Sequence, residues 1–136
     1  MNSRGKFFYG VMCAAGVVLA VTGIGTFALG KPPMTHWVLM AHVAAAPLFA
    51  LGLAAVALTW AGCCVPGADS PLNAPAKALL WVILVCGLVV MLSGVLPMTP
   101  LIGASGQHIL YLTHRYSAVV LTAAILLHLP VLLRRG

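Results

Sequence analysis

Apolar residues along this chain gather into four long runs, each near the roughly 20 residues that a helix needs to cross a bilayer. The runs cover about Phe7–Leu29, His36–Trp60, Lys77–Met98 and His108–Leu133. Two of the connections, "GKPPMT" and "MTPLIGASG", are short. The middle one, "AGCCVPGADSPLNAP", is a loop rich in Pro, Gly and Ser. No stretch remains for a separate soluble domain. The pattern predicts an all-α integral membrane protein, one four-transmembrane-helix bundle covering residues 1–136.

Composition strengthens this reading. Hydrophobic residues make up 62% of the 136 and charged residues only 6%, against about 25% charged in a soluble domain. Such a chain cannot clothe a water-facing surface, so lipid must cover most of it. The first apolar run is longer than the 7–15 residues of a signal-peptide core and no clear A-x-A site follows it, so it reads as a retained transmembrane helix.

Charge then orients the bundle. Arg4 and Lys6 precede span 1, Lys77 opens span 3, and Arg134 and Arg135 close span 4, whereas Lys31 falls on the opposite side. Positive charge collects on the cytoplasmic face, which predicts both termini inside and a multi-pass location in the inner (cytoplasmic) membrane. The net charge of +6 flanks the spans without forming a separate patch, so nucleic acid is not an expected partner.

The single acid, Asp69, lies in the middle loop. A proton pump or cation transporter would ordinarily carry an intramembrane carboxylate, and no span has one. Cys13 and Cys86 sit within spans and read as small hydrophobes. The vicinal pair Cys63–Cys64 falls in a loop expected to face the cytoplasm, where thiols stay reduced. That spacing does not suit a zinc site, and a redox or lipidation role stays open.

The two halves of the chain resemble each other. One reads "VTGIGTFALGKPPMTHWVLMAH", the other "LSGVLPMTPLIGASGQHILYLTH". Each has a small-residue/Gly pair near the end of its odd-numbered span, Thr22–Gly23 and Ser93–Gly94. Each then has a Pro/Gly turn and a pair of histidines six residues apart, His36 with His42 and His108 with His114. Spans 1–2 and 3–4 therefore read as two copies of one helical hairpin, a form of duplication known in membrane proteins. Spans 2 and 4 then run parallel, and His42 and His114 lie at matching depth, roughly 9 Å into their helices.

Two imidazoles at equal depth across a bundle core suit the axial ligation of a b-type haem, which needs a flat apolar slot and a ligand on each face. Ala44, Ala45, Ala46, Ser117 and Ala118 surround them with small side chains, and Gly23 and Gly94 would let a ring approach from the other two spans. Arg115 is placed to neutralise a haem propionate.

His128 follows His114 by 14 residues. That is within about 40° of whole turns and roughly 21 Å further along the helix, the stacking needed for a second haem. Span 2 has Val56 at the equivalent place, and spans 1 and 3 carry no histidine. His128 is thus a second-haem ligand completed by another subunit or by an unusual donor such as Met12, a residue of a quinone pocket, or an interfacial histidine. His36 and His108 lie about 120° around their helices from His42 and His114 and point away from a shared core. They could bond propionates, meet an extramembrane partner, ligate a haem with outside help, or sit as interfacial residues beside the belt aromatics Trp37 and Tyr111.

With "HWVLMAH" on span 2 and "HRYSAVVLTAAILLH" on span 4, the chain resembles the four-helix cytochrome b membrane subunits of formate dehydrogenases and nickel–iron hydrogenases. The 14-residue histidine spacing also resembles cytochrome b of quinol-oxidising complexes. The resemblance implies haem b, one or two per chain, and electron exchange between a quinone pool and other subunits of a membrane redox complex, including an extracytoplasmic electron-transfer protein. The chain departs from that pattern in having no histidine on span 1, where the dihaem subunits take a further ligand, and in being shorter. It has no C-x-x-C-H motif for covalent haem. The competing class is a non-redox scaffold or assembly subunit, or a small carrier whose histidines bind a transition metal.

Overall fold

The structure, a computed structural model, describes residues 3–30, 34–64 and 74–133, with side chains described for residues 5–30, 34–60 and 74–130. The side chains of Arg4, Lys31, Cys63, Cys64, Asp69, Arg134 and Arg135, on which the orientation and thiol expectations rest, lie outside those described. Every described element is helical: α1 (Ser3–Ala28), α2 (His36–Cys64), α3 (Ala74–Val95), a short 3-10 turn at Leu96–Met98, and α4 (Ala104–Leu133). Four stretches are long and apolar enough to cross a membrane: Gly5–Ala28, His36–Trp60, Ala74–Met98 and Ala104–Pro130.

Local chemistry sets the ends. Helix α1 stops where Gly30 takes φ of +64° and its N–H bonds back to the Phe27 carbonyl at 3.0 Å, the left-handed close that glycine makes without a Cβ penalty. Helix α3 carries Pro75 in its first turn, where a missing N–H costs no helical bond. It tightens into the 3-10 turn at Pro97, and Thr99 ends that turn by giving both its N–H (3.1 Å) and its hydroxyl (2.7 Å) to the Leu96 carbonyl. Thr99 is extended, as a residue before proline prefers. Helix α4 starts a turn earlier than the apolar pattern suggests. The Gly103 carbonyl accepts from the Gln107 N–H at 3.0 Å, so "ASGQ" is the first helical turn rather than loop. His108 therefore stands in the second turn.

The chain divides into two compact units, residues 1–77 and 78–136. In the first, α1 packs along α2. They approach closely at Gly52: a Cβ built there would stand 2.9 Å from the Met12 Cβ and 3.0 Å from its backbone. A small residue at such a crossing lets two apolar helices gain dispersion contact that larger side chains would hold off. At one end of this hairpin, Tyr9 and Trp60 stack with ring centroids 6.2 Å apart, and both are buried. In the second unit α3 and α4 are joined at the Ser93–Gly94 step, through His114.

The hairpin repeat extends into the pattern of burial. Tyr9 and Met12 on α1 correspond to Leu80 and Ile83 on α3, at the offset that relates Gly23 to Gly94, and all four are buried. Phe49, Gly52 and Val56 on α2 correspond to Leu121, Ala124 and His128 on α4, at the offset that relates His42 to His114, and all six are buried. Outward positions such as Val17, Val21, Leu51, Leu58, Val85, Leu88, Leu126 and Leu127 are exposed and apolar, far more such surface than a water-soluble monomer shows.

Because α2 meets the Met12 backbone rather than a movable side-chain tip, Gly52→Ala should cost about 1–3 kcal/mol through overpacking. At Gly10, on the same helix as Met12, a Cβ meets nothing within 4 Å, so Gly10→Ala should be neutral or stabilising. Thermal unfolding in detergent micelles checks the pair: a lowered Tm is expected for Gly52→Ala alone.

Candidate functional site

Hydroxyl groups in apolar helices need partners, and here they find them in the preceding turn. Thr22 donates to Val18 O at 2.7 Å, Thr26 to Thr22 O at 2.8 Å, Ser93 to Val89 O at 2.7 Å and Ser117 to Thr113 O at 2.6 Å. This back-bonding satisfies the hydroxyl hydrogen inside its own helix. The oxygen is left able to accept.

Two histidines, one on α2 and one on α4, find acceptors on the neighbouring helix. His42, on α2, brings Nδ1 to 2.8 Å from Thr22 Oγ1 on α1. With the one hydroxyl proton directed at a helix carbonyl, the ring nitrogen is the donor of this contact, the tautomer with the proton on Nδ1. His114, on α4, brings Nδ1 to 2.9 Å from the backbone carbonyl of Val90 on α3. A carbonyl only accepts, so His114 also carries its proton on Nδ1. Ser93 Oγ lies 3.4 Å from the same nitrogen, a second and weaker approach. In this tautomer the lone pair of each ring lies on Nε2. An imidazole whose other nitrogen donates to the protein is the usual form of a metal-ligating histidine.

The two glycines are explained by the same contact. A Cβ on Gly23 would stand 3.3 Å from His42 Cε1, and one on Gly94 would stand 3.2 Å from His114 Cε1 and 3.3 Å from its Nδ1. Within each hairpin, then, the glycine makes room for the edge of the histidine ring, a closer use than the cofactor clearance expected of it. Thr22–Gly23 with His42, and Ser93–Gly94 with His114, form one constellation built twice.

The remaining candidates fall elsewhere. Arg115 follows His114 and is half-buried. His128, near the end of α4, is wholly buried, while His36 and His108 are exposed, as are Trp37 and Tyr111 beside them. The 120° rotation holds for His108, which lies in regular helix. His36 opens α2 with φ of +52°, in the left-handed region, a conformation costing of order 1 kcal/mol. Of the expected small neighbours, Ala45 is buried, Ser117 and Ala118 are half-buried, and Ala44 and Ala46 are exposed. Among the described residues no three His, Cys, Asp or Glu side chains come together as an ion cage.

Sequence reasoning marked Thr22 and Ser93 only as small. Their similar separations from His42 and His114, 20 and 21 residues, were the available signal for a hydroxyl–imidazole contact. The Val90 carbonyl had none, since every residue carries one. Compared with known proteins, the chain matches no family model, no curated protein and no solved structure.

Adding a methyl at either glycine should push its imidazole off the facing helix. Gly94→Ala is expected to shift the ring resonances of His114 in a histidine-labelled sample and leave those of His36 in place. Gly23→Ala should do the same for His42, and less strongly, since its built Cβ meets one ring atom closely rather than two.

Proposed function

We propose that this chain is a haem b-binding membrane subunit that carries electrons between a quinone pool and a partner redox subunit of a respiratory complex. It spans the inner membrane four times with both termini in the cytoplasm. His42 and His114 supply the axial nitrogens, each through Nε2. The observation that carries the reading is the duplicated constellation: two imidazoles, one per hairpin, each held as the Nδ1–H tautomer against a small-residue/Gly step. A bare zinc or similar ion asks for three or four protein donors together, whereas a haem asks for one on each face. Two pre-oriented imidazoles, one per hairpin, suit the second demand.

When bound, the haem supplies one-electron chemistry. The chain's own residues hold the imidazoles in one tautomer, exclude water with apolar helices and tune the ligands through the groups that accept from Nδ1. Arg115 stands next to His114 as the partner of a propionate. His128, wholly buried and 14 residues beyond His114, serves a second haem or a quinone pocket. The exposed rings of His36 and His108 are free to meet propionates or an extracytoplasmic electron-transfer protein. Substrate chemistry belongs to other subunits.

Purified from haem-replete cells, the chain should be red, with a Soret band and a sharp α-band on reduction. Pyridine haemochrome should count one haem per chain, or two if His128 ligates. His114→Ala should remove the haem that His42 and His114 share, and His128→Ala should lower the count only where it stands at two. A colourless wild-type preparation would favour the scaffold or metal-carrier class instead.

A further inference from the structure

The two constellations share a plan but differ in what receives the ring proton. We infer that Thr22 is a positioning residue for His42, held there by a side-chain acceptor, whereas His114 is held by the backbone and does not depend on Ser93. The consequence for the reduction potential rests on the haem reading above; the tautomer itself does not.

In the first hairpin the acceptor for the Nδ1 proton is Thr22 Oγ1, at 2.8 Å. Its own proton is spent within α1, on Val18 O at 2.7 Å with Leu19 O at 3.2 Å as the second choice. The oxygen is therefore turned by α1 to present a lone pair to α2. In the second hairpin Ser93 Oγ is spent in the same way, on Val89 O at 2.7 Å and Val90 O at 3.1 Å. Yet it stands 3.4 Å from His114 Nδ1, at the limit of a hydrogen bond, while the Val90 carbonyl is at 2.9 Å. At these distances the carbonyl is the acceptor that counts. The loss of one methyl between threonine and serine comes with a ring that bonds the backbone instead.

This difference has chemical content. An acceptor on Nδ1–H makes the imidazole a better electron donor through Nε2, which stabilises ferric over ferrous iron and lowers the potential. A hydroxyl oxygen that can be removed by one substitution controls this on the His42 side. On the His114 side the near acceptor is the Val90 carbonyl, which no substitution at Ser93 removes. The two ligands of a single haem would then be tunable on one face only.

The test uses the full chain in detergent micelles. In a ¹⁵N-histidine-labelled sample from haem-depleted cells, nitrogen shifts read the tautomer directly, with assignments from His42→Ala and His114→Ala. Wild type should show both rings protonated at Nδ1. Thr22→Val should release His42 toward the Nε2–H form and leave His114 unchanged. Thr22→Ser should restore the wild-type pattern, and Ser93→Ala should alter neither ring. In the haem-loaded chain, the midpoint potential should rise for Thr22→Val and stay at the wild-type value for Thr22→Ser and Ser93→Ala. A wild-type His42 protonated at Nε2 overturns the inference without need of a variant. So does a Ser93→Ala chain that changes as much as Thr22→Val. A chain that holds no haem removes the reading above and leaves the nitrogen spectrum to decide the positioning.

Discussion

An imidazole that gives its Nδ1 proton to the helix beside it keeps one nitrogen, with one lone pair, for anything else. In an apolar setting this constraint is strong, because an unmatched donor there costs far more than in water. His42 meets it with a threonine hydroxyl and His114 with a carbonyl. The rest of the arrangement follows from those two bonds. Gly23 and Gly94 must lack a Cβ so that the ring edges can come in. Thr22 must spend its own proton within α1, or it would compete for the role of donor. The hairpins must cross closely enough for side chains of one helix to reach the oxygen atoms of the next, which Gly52 permits in the first.

Duplication and divergence are both visible at this level. Several buried positions recur from one hairpin to the other at the offsets of the Gly and His pairs, so the likeness reaches beyond the turn and histidine motifs. The copies differ where chemistry can differ. Threonine is answered by serine, and the ring proton moves from a hydroxyl to a carbonyl. Val56 is answered by His128, an apolar buried residue by a titratable one. A duplicated hairpin carrying unlike groups in its two copies suits a task with two unlike ends, as the proposed transfer between a quinone and a protein partner would be.

Much of the fold was legible along the chain because spans announce themselves by length and apolarity. The helix count and the pairing of each small-residue/Gly step with a histidine of the next span needed no coordinates. The misplaced boundary at α4 came from reading "ASGQ" by its turn-forming residues, when a helix tolerates such residues in its first turn. What Gly23 and Gly94 accommodate was hidden for a different reason: spacing places a glycine at the right height, but only the rotation of one helix against another decides whose side chain fills the gap. A backbone acceptor such as Val90 leaves no trace in residue identity at all.

The account turns on two Nε2 atoms being the ligands of one iron, and the electron paramagnetic resonance spectrum of the oxidised, haem-loaded chain reads that directly. Two nitrogen ligands predict a low-spin ferric signal, lost to high-spin iron or to empty protein when either His42 or His114 is replaced by alanine. A high-spin signal from the wild-type chain, or a low-spin signal that survives both replacements, would contradict it.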